Sequence, residues 1–302
     1  MIDPVEIKRG DSPIVLGLPH TGTYVPDEIA AKLNDRGREL ADTDWHIHTL
    51  YDGVLDGATT VRATFHRYVI DANRDPAGES LYPGQNTTTL VPLTDFDGEN
   101  IWDVAPTEDD IAERAKQFHA PYHAALWAEL ERVRAKHGIA ILYDCHSIRS
   151  NIPFLFEGTL PDFNIGTNLG TTCDHTIEML TQDICAQAEG YSSILNGRFK
   201  GGWTTRHYGR PEINQHAIQM ELAQSTYLEA EVAPWTYDET RAAKLRTHLS
   251  EILTTLAALA PALGSGLDYS KGSASSHSFV DRNPSAENLA GLQGRVTPTT
   301  KE

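Results

Sequence analysis

The sequence is short of cysteine, of positive charge and of long apolar runs, and each shortage removes a class of protein. Its 302 residues contain three cysteines, Cys145, Cys173 and Cys185. None belongs to a C-x-x-C pair, which argues against a disulfide scaffold and predicts a reducing compartment, the cytoplasm. Lys and Arg number 25 against 42 Asp and Glu, a formal net charge of −17. Nucleic-acid phosphates and anionic membrane surfaces both require a basic face, so neither is an expected partner. No apolar run approaches the roughly 20 residues that a membrane span needs. The opening "MIDPVEIKRGDSP" lacks the apolar stretch of a signal peptide. There is no G-x-G-x-x-G, P-loop or G-x-S-x-G elbow. A small anionic substrate remains possible, but local arginines must capture it against the field of the whole chain.

What is present is a set of apolar strands alternating with amphipathic helices. "PIVLGLP" (13–19) reads as a buried strand, followed by a helix from about Pro26. "TTVRATFHRYVIDAN" reads as a strand or strand pair, and residues 80–105 as an extended loop. A helix starts at a Thr107–Asp110 capping box, and Pro121 is expected to kink or divide it. Gly138 ends it, and a strand over 139–144 follows at once. Further helices fit 174–188 and 237–260, the second opened by a Thr236–Glu239 box. "HAIQMEL" between them has period 2, a strand with one polar face. Strands interleaved with helices predict an α/β layered sheet. Residues 1–263 read as a single catalytic domain, and the Ser/Gly-rich stretch 264–302 as a poorly ordered tail.

Polar residues cluster where these strands end, the usual place for sites in open α/β sheets. His20 follows the first strand, Asn73 and Arg74 the second, and Asp144, Cys145, His146 and Ser147 the third; Glu221 stands on the fourth. Two histidines and a carboxylate would suit a catalytic zinc, which keeps one position for water. Asp144 is a candidate to orient an imidazole. In "ADTDWHIHTLYD", Asp42, Asp44, His46 and His48 are all eligible as the third ligand. Glu221 is placed to move protons. Arg206 and His207 after a Gly-rich loop, with Arg74, offer forks for carboxylates. Cys145 reads as a packing residue.

The segments "LPHTGTYVP", "TDWHIHTLYD", "ATFHRYVIDANRDP", "LYDCHSIRSNIPFLFEG", "DFNIGTN", "NGRFKGGWTTRHYG" and "AIQMELAQSTYL" run in order over residues 12–228. Together they resemble the N-formylglutamate amidohydrolases. The resemblance implies a fold like the zinc carboxypeptidases, a three-layer αβα arrangement around a central mixed β-sheet. It also implies one zinc ion and hydrolysis of N-formyl-L-glutamate, a dicarboxylate, to glutamate and formate in histidine degradation. His20 and His146 then look like metal ligands, Glu221 like the general base, and Asn73–Arg74 like a carboxylate-binding pair. Carboxypeptidases use His-x-x-Glu, whereas Thr23 stands at that glutamate's place; the resemblance points to Asp44 as the third ligand. Arg206 and His207 would complete the substrate clamp. Two rival readings are a related metallo-amidohydrolase or carboxypeptidase acting on another N-acyl amino acid, and a non-catalytic carboxylate-binding protein.

Overall fold

The computed structural model describes residues 2–79 and 86–265. Seven strands form one sheet: β1 (Val5–Lys8), β2 (Ile14–Leu18), β3 (Thr59–Ala63), β4 (Ala140–Ile148), β5 (Phe163–Gly166), β6 (Ser193–Leu195) and β7 (Gln215–Ala223). Their order is β1-β3-β2-β4-β7-β5-β6. The β3–β2–β4–β7 block and the β5–β6 pair are parallel, while β1 and β5 run antiparallel to β3 and β7. The sheet is therefore mixed. Short helices α1 (Asp27–Ala30), α2 (Asp35–Arg38) and α3 (Ile47–Tyr51) fill the β2–β3 connection. Longer ones follow: α4 (Glu108–Arg114), α5 (Ala120–His137), α6 (His175–Gln187), α7 (Trp203–Tyr208) and α8 (Glu239–Gly264).

The strands alternate between two cores. Ile141, Tyr143 and Cys145 of β4 pack with Ile218 and Met220 of β7 under α3, α6 and α8. Ala140 and Leu142 of β4, with Ala217 of β7, face Phe118, Tyr122, Leu126, Leu130 and Val133 around α5. Helices thus cover both faces, the expected three layers, and β4 and β7 are buried along their whole length. The described residues all fall in one compact unit, Met1–Gly266. Among them, no helix is long and apolar enough to cross a membrane.

Local signals fare unevenly. Both hydrogen bonds of the Thr107–Asp110 capping box are present, and Gly138 ends α5 in the left-handed conformation. At Pro121 the chain does not break. A π-helical turn, Ala115–His119, precedes α5 and widens the coil where the proline ring would meet a carbonyl. α8 is capped by Asp238 rather than by Thr236, because Tyr237 is held in a bridge with Leu228 and the helix starts after it. β4 runs on to Ile148, so His146 lies within a strand and not beyond its tip. β7 has no solvent-facing side; its polar residues are buried. Only Thr59–Ala63 of the second predicted strand is extended, and Phe65–Asn73 crosses the molecule as buried turns. Of the expected tail, Gly264 closes α8 and Ser265 caps it; residues 266–302 lie outside the described residues, as do 80–85 of the long loop.

Candidate metal and catalytic site

Three separate stretches meet at the carboxyl ends of β2 and β4. His20 follows β2, and its carbonyl accepts the Asp44 N–H (3.0 Å), tying the approach to α3 against the strand end. His146 projects from β4, paired in register with Glu221 on β7. Asp44 Oδ2 lies 3.2 Å from His146 Nδ1 and 3.7 Å from His20 Nδ1. One ligand atom from each of these buried residues falls within 4.8 Å of the others, a group that can hold a metal ion. His20 Nδ1 is buried with no hydrogen-bond partner, an arrangement that costs stability unless a ligand takes it up. Two imidazoles and one carboxylate are the donor set of many catalytic zinc sites.

The far side of each imidazole meets another carboxylate. His20 Nε2 is 2.7 Å from Asp71 Oδ1, and His146 Nε2 is 3.1 Å from Asp144 Oδ1. The second contact is a charge contact, since Asp144 Oδ1 is not aligned for a hydrogen bond; Asp144 Oδ2 accepts from Thr205 Oγ1 at 2.9 Å. Such pairing orients a ligating ring and raises its basicity. Asn73 Nδ2 lies 3.2 Å from His146 Nε2, and its Oδ1 accepts the Thr204 N–H (2.8 Å).

Burial opposes ionisation of Asp44 and Asp71, but Arg67 with His146 beside Asp44, and His20 with Arg74 beside Asp71, hold both carboxyls below the usual range. Burial likewise opposes the His146 imidazolium, yet Asp144 and Asp44 lift that ring well above the ordinary value. Glu221 goes the other way. Burial pushes it up to about 7, with His146 pulling down and the Asp44 charge adding to the rise. Gln219 Nε2 donates to Glu221 Oε2 at 2.9 Å.

A cleft of about 150 Å³ opens over these groups, lined by His20, His146 and Glu221 on one side and by Arg67, Arg74 and Arg198 among others. Asn73 also lines it. Arg74 is steadied by Thr88, whose carbonyl and hydroxyl accept its Nε and Nη2 (3.0 and 2.8 Å). Arg206 and His207 are not among the described residues of the lining. Arg206 Nε donates to the Gly201 carbonyl (2.9 Å), and His207 is exposed, stacked on Trp203 at 4.3 Å. Both stand on α7, beside Gly202, which does line the cleft.

The other candidates near Asp44 have separate work. Asp42 accepts from Tyr68 Oη and from the Phe96 N–H (2.8 and 3.0 Å). His46 starts α3 in a left-handed conformation and bonds the Trp235 carbonyl (2.8 Å), while burial pushes His48 down to about 4. Cys145 is fully buried in the core, and burial raises its thiol far above the reactive range. Sequence reasoning passed over Arg67, Asp71 and Arg198. All three stand inside the quoted segments, and a signal was there: Arg67 and Asp71 are charged residues in an apolar run that has to be buried.

A family model described as N-formylglutamate amidohydrolase matches residues 12–228. An N-formylglutamate deformylase of Pseudomonas aeruginosa is 44% identical over 261 residues, spanning 85% of this chain and 97% of that protein. One from Pseudomonas putida is 46% identical over 253 residues, 83% and 94% of the two chains. The crystal structure of an N-formylglutamate amidohydrolase from Ralstonia eutropha JMP134 superposes with a TM-score of 0.71 at 26% identity, covering 86% of this chain and 98% of that one. A gene product of Agrobacterium tumefaciens, 16% identical with a TM-score of 0.64 over 85% of this chain and 96% of its own, shares the fold.

Proposed function

The chain belongs to the N-formylglutamate amidohydrolase family, and from that premise we propose that it hydrolyses N-formyl-L-glutamate to L-glutamate and formate, a step of histidine degradation. The observation that carries the reading is the meeting of the His20–Asp44–His146 group with Glu221 in a cleft bordered by arginines. All these residues lie in the unit that ends at Gly266, which we take as one catalytic domain. Three free, buried cysteines suit the cytoplasm.

His20 and His146, through Nδ1, and Asp44, through Oδ2, would hold a divalent cation, for which zinc is the best match to the donors. When bound, that cation supplies Lewis-acid activation of water and of the formyl oxygen. Glu221, with its proton affinity raised by burial, accepts the proton of the attacking water and returns it to the departing amine. Arg74 and Arg198 grip the two carboxylates and fix the amide against Glu221. Arg67, with Nε unsatisfied and its edge on the cleft, offers a donor to negative charge developing on the formyl oxygen.

Formate release from N-formyl, N-acetyl and N-succinyl amino acids, with chelator and with zinc restored, tests the reading. Release from N-formyl-L-glutamate that requires a metal supports it. Preference for another acyl group, or release that survives exhaustive chelation, rejects it.

A further inference from the structure

Two histidines outside the cluster have no assigned work. His119 closes the π-helical turn, and His123 lies one turn on, in α5. Being four residues apart, they share a helical face, and their rings stand 4.3 Å apart. Each reaches a main-chain carbonyl of the same short segment. His119 Nε2 lies 3.1 Å from the Arg74 carbonyl, and His123 Nε2 lies 2.8 Å from the Ala72 carbonyl. A carbonyl only accepts, so both Nε2 atoms must carry hydrogen. His123 Nδ1 then accepts the Tyr208 hydroxyl, 2.9 Å away.

The two carbonyls flank Asn73. On one side of Ala72 stands Asp71, whose Oδ1 accepts both His20 Nε2 (2.7 Å) and the Asn73 N–H (2.8 Å). On the other, Asn73 abuts His146 and Arg74 borders the cleft. Nothing regular supports this segment, which lies in turns between β3 and α4. We propose that His119 and His123 are positioning residues: as neutral Nε2–H donors they clamp the Ala72 and Arg74 carbonyls, so that Asp71 and Asn73 hold the two ligating imidazoles and Arg74 faces substrate. The widened turn before Pro121 is what carries His119 at the start of this face. The proposal rests on the function proposed above, for which it names supporting residues.

The two clamps act on different partners, so their losses read differently. His123→Leu frees the Asp71–Asn73 turn, and metal affinity of the apo protein and kcat should each fall about 10-fold, in the range seen when an orienting partner of a ligand is lost. KM should stay near the wild-type value. His119→Leu frees Arg74, so KM for N-formyl-L-glutamate should rise several-fold with metal affinity unchanged. Glutamine offers an N–H at about the reach of Nε2, and His123→Gln and His119→Gln should recover most of each loss. Leucine variants that fold and keep wild-type metal affinity, kcat and KM overturn the proposal, as do glutamine variants no better than leucine. If the leucine variants do not fold, the imidazole ¹⁵N shifts of the wild-type protein decide. Both rings must be Nε2–H tautomers, and an Nδ1–H tautomer at either ring overturns the clamp. Absent formate release in the wild type would count against the proposed function alone, because metal titration and tautomer are read without turnover.

Discussion

Arg67 Nη2 is 2.7 Å from Asp44 Oδ1, and this bond leaves Oδ2 as the oxygen that faces His20 and His146. The pair is fully buried and charge-assisted, with Arg67 also lying over the Phe96 ring at 5.0 Å. Arg67→Met should let the Asp44 carboxylate turn, lowering kcat/KM by about 100-fold, with metal affinity weakened by about 10-fold or more. Kinetics and metal titration of the apo protein measure both. A wild-type kcat/KM in that variant rejects the role.

Glu221→Gln keeps the shape and the Gln219 neighbour but removes the proton carrier. Its kcat should drop by about 10²–10⁴, while the purified variant holds as much metal as the wild type. Near-normal turnover would remove Glu221 from the mechanism.

His20→Ala, Asp44→Ala and His146→Ala should each purify with little metal, since each deletes one of three donors. Asp42→Ala, His46→Ala and His48→Ala should retain it, because none of these three joins the cluster. Metal content per protomer distinguishes the two sets directly.

Substrate recognition should follow the cleft rather than the sequence motif. Arg74→Ala and Arg198→Ala should raise KM for N-formyl-L-glutamate by about 10-fold or more, as expected for loss of one charged hydrogen bond. Arg206→Ala should change it little, because Arg206 is not among the described residues that line the cleft. The reverse ranking would restore the clamp first expected from the Gly-rich loop.

A pH prediction comes from the middle of α5. Glu129 sits between Arg9 and Arg132 (2.8 and 2.7 Å), and although burial opposes its charge, the two arginines hold its carboxyl below the usual value. The folded state therefore releases this proton more readily than the unfolded chain, and the stability is present at neutral pH. It is lost as pH falls past the ordinary glutamate value, near 4.3, and through the lower folded one. Glu129→Gln should lower Tm at pH 7, and the gap to wild type should close below about pH 4, which calorimetry at the two pH values resolves.

The α/β layering and several candidate site residues were legible because their signals are local. Apolar periodicity marked β2, β4 and α5, and His20, His146 and Glu221 stand on or beside strands that announce themselves. Asp44 was reached only through family resemblance, because the bond that binds it to His20 joins residues 24 apart. Asp71 and Arg67 were missed since Phe65–Asn73 looks extended in sequence but folds as turns that long-range bonds dictate, such as Asp71 N–H to the Leu90 carbonyl (2.7 Å). Where Arg206 points is likewise not legible: it depends on the rotation of a helix of six residues, which sequence does not fix.

The pairing of His146 with Glu221 across β4 and β7 makes one distance of the proposed site a property of the backbone. Parallel neighbours stand about 4.8 Å apart whatever their side chains. The proposed ligand and the proposed base are thus rungs of one ladder, and a point substitution in either core does not separate them. A single-residue insertion or deletion in β7 upstream of Glu221 does, because it turns the base to the opposite face, into the packing of Ile218 and Met220. This site should therefore tolerate residue replacement around it far better than changes in strand length.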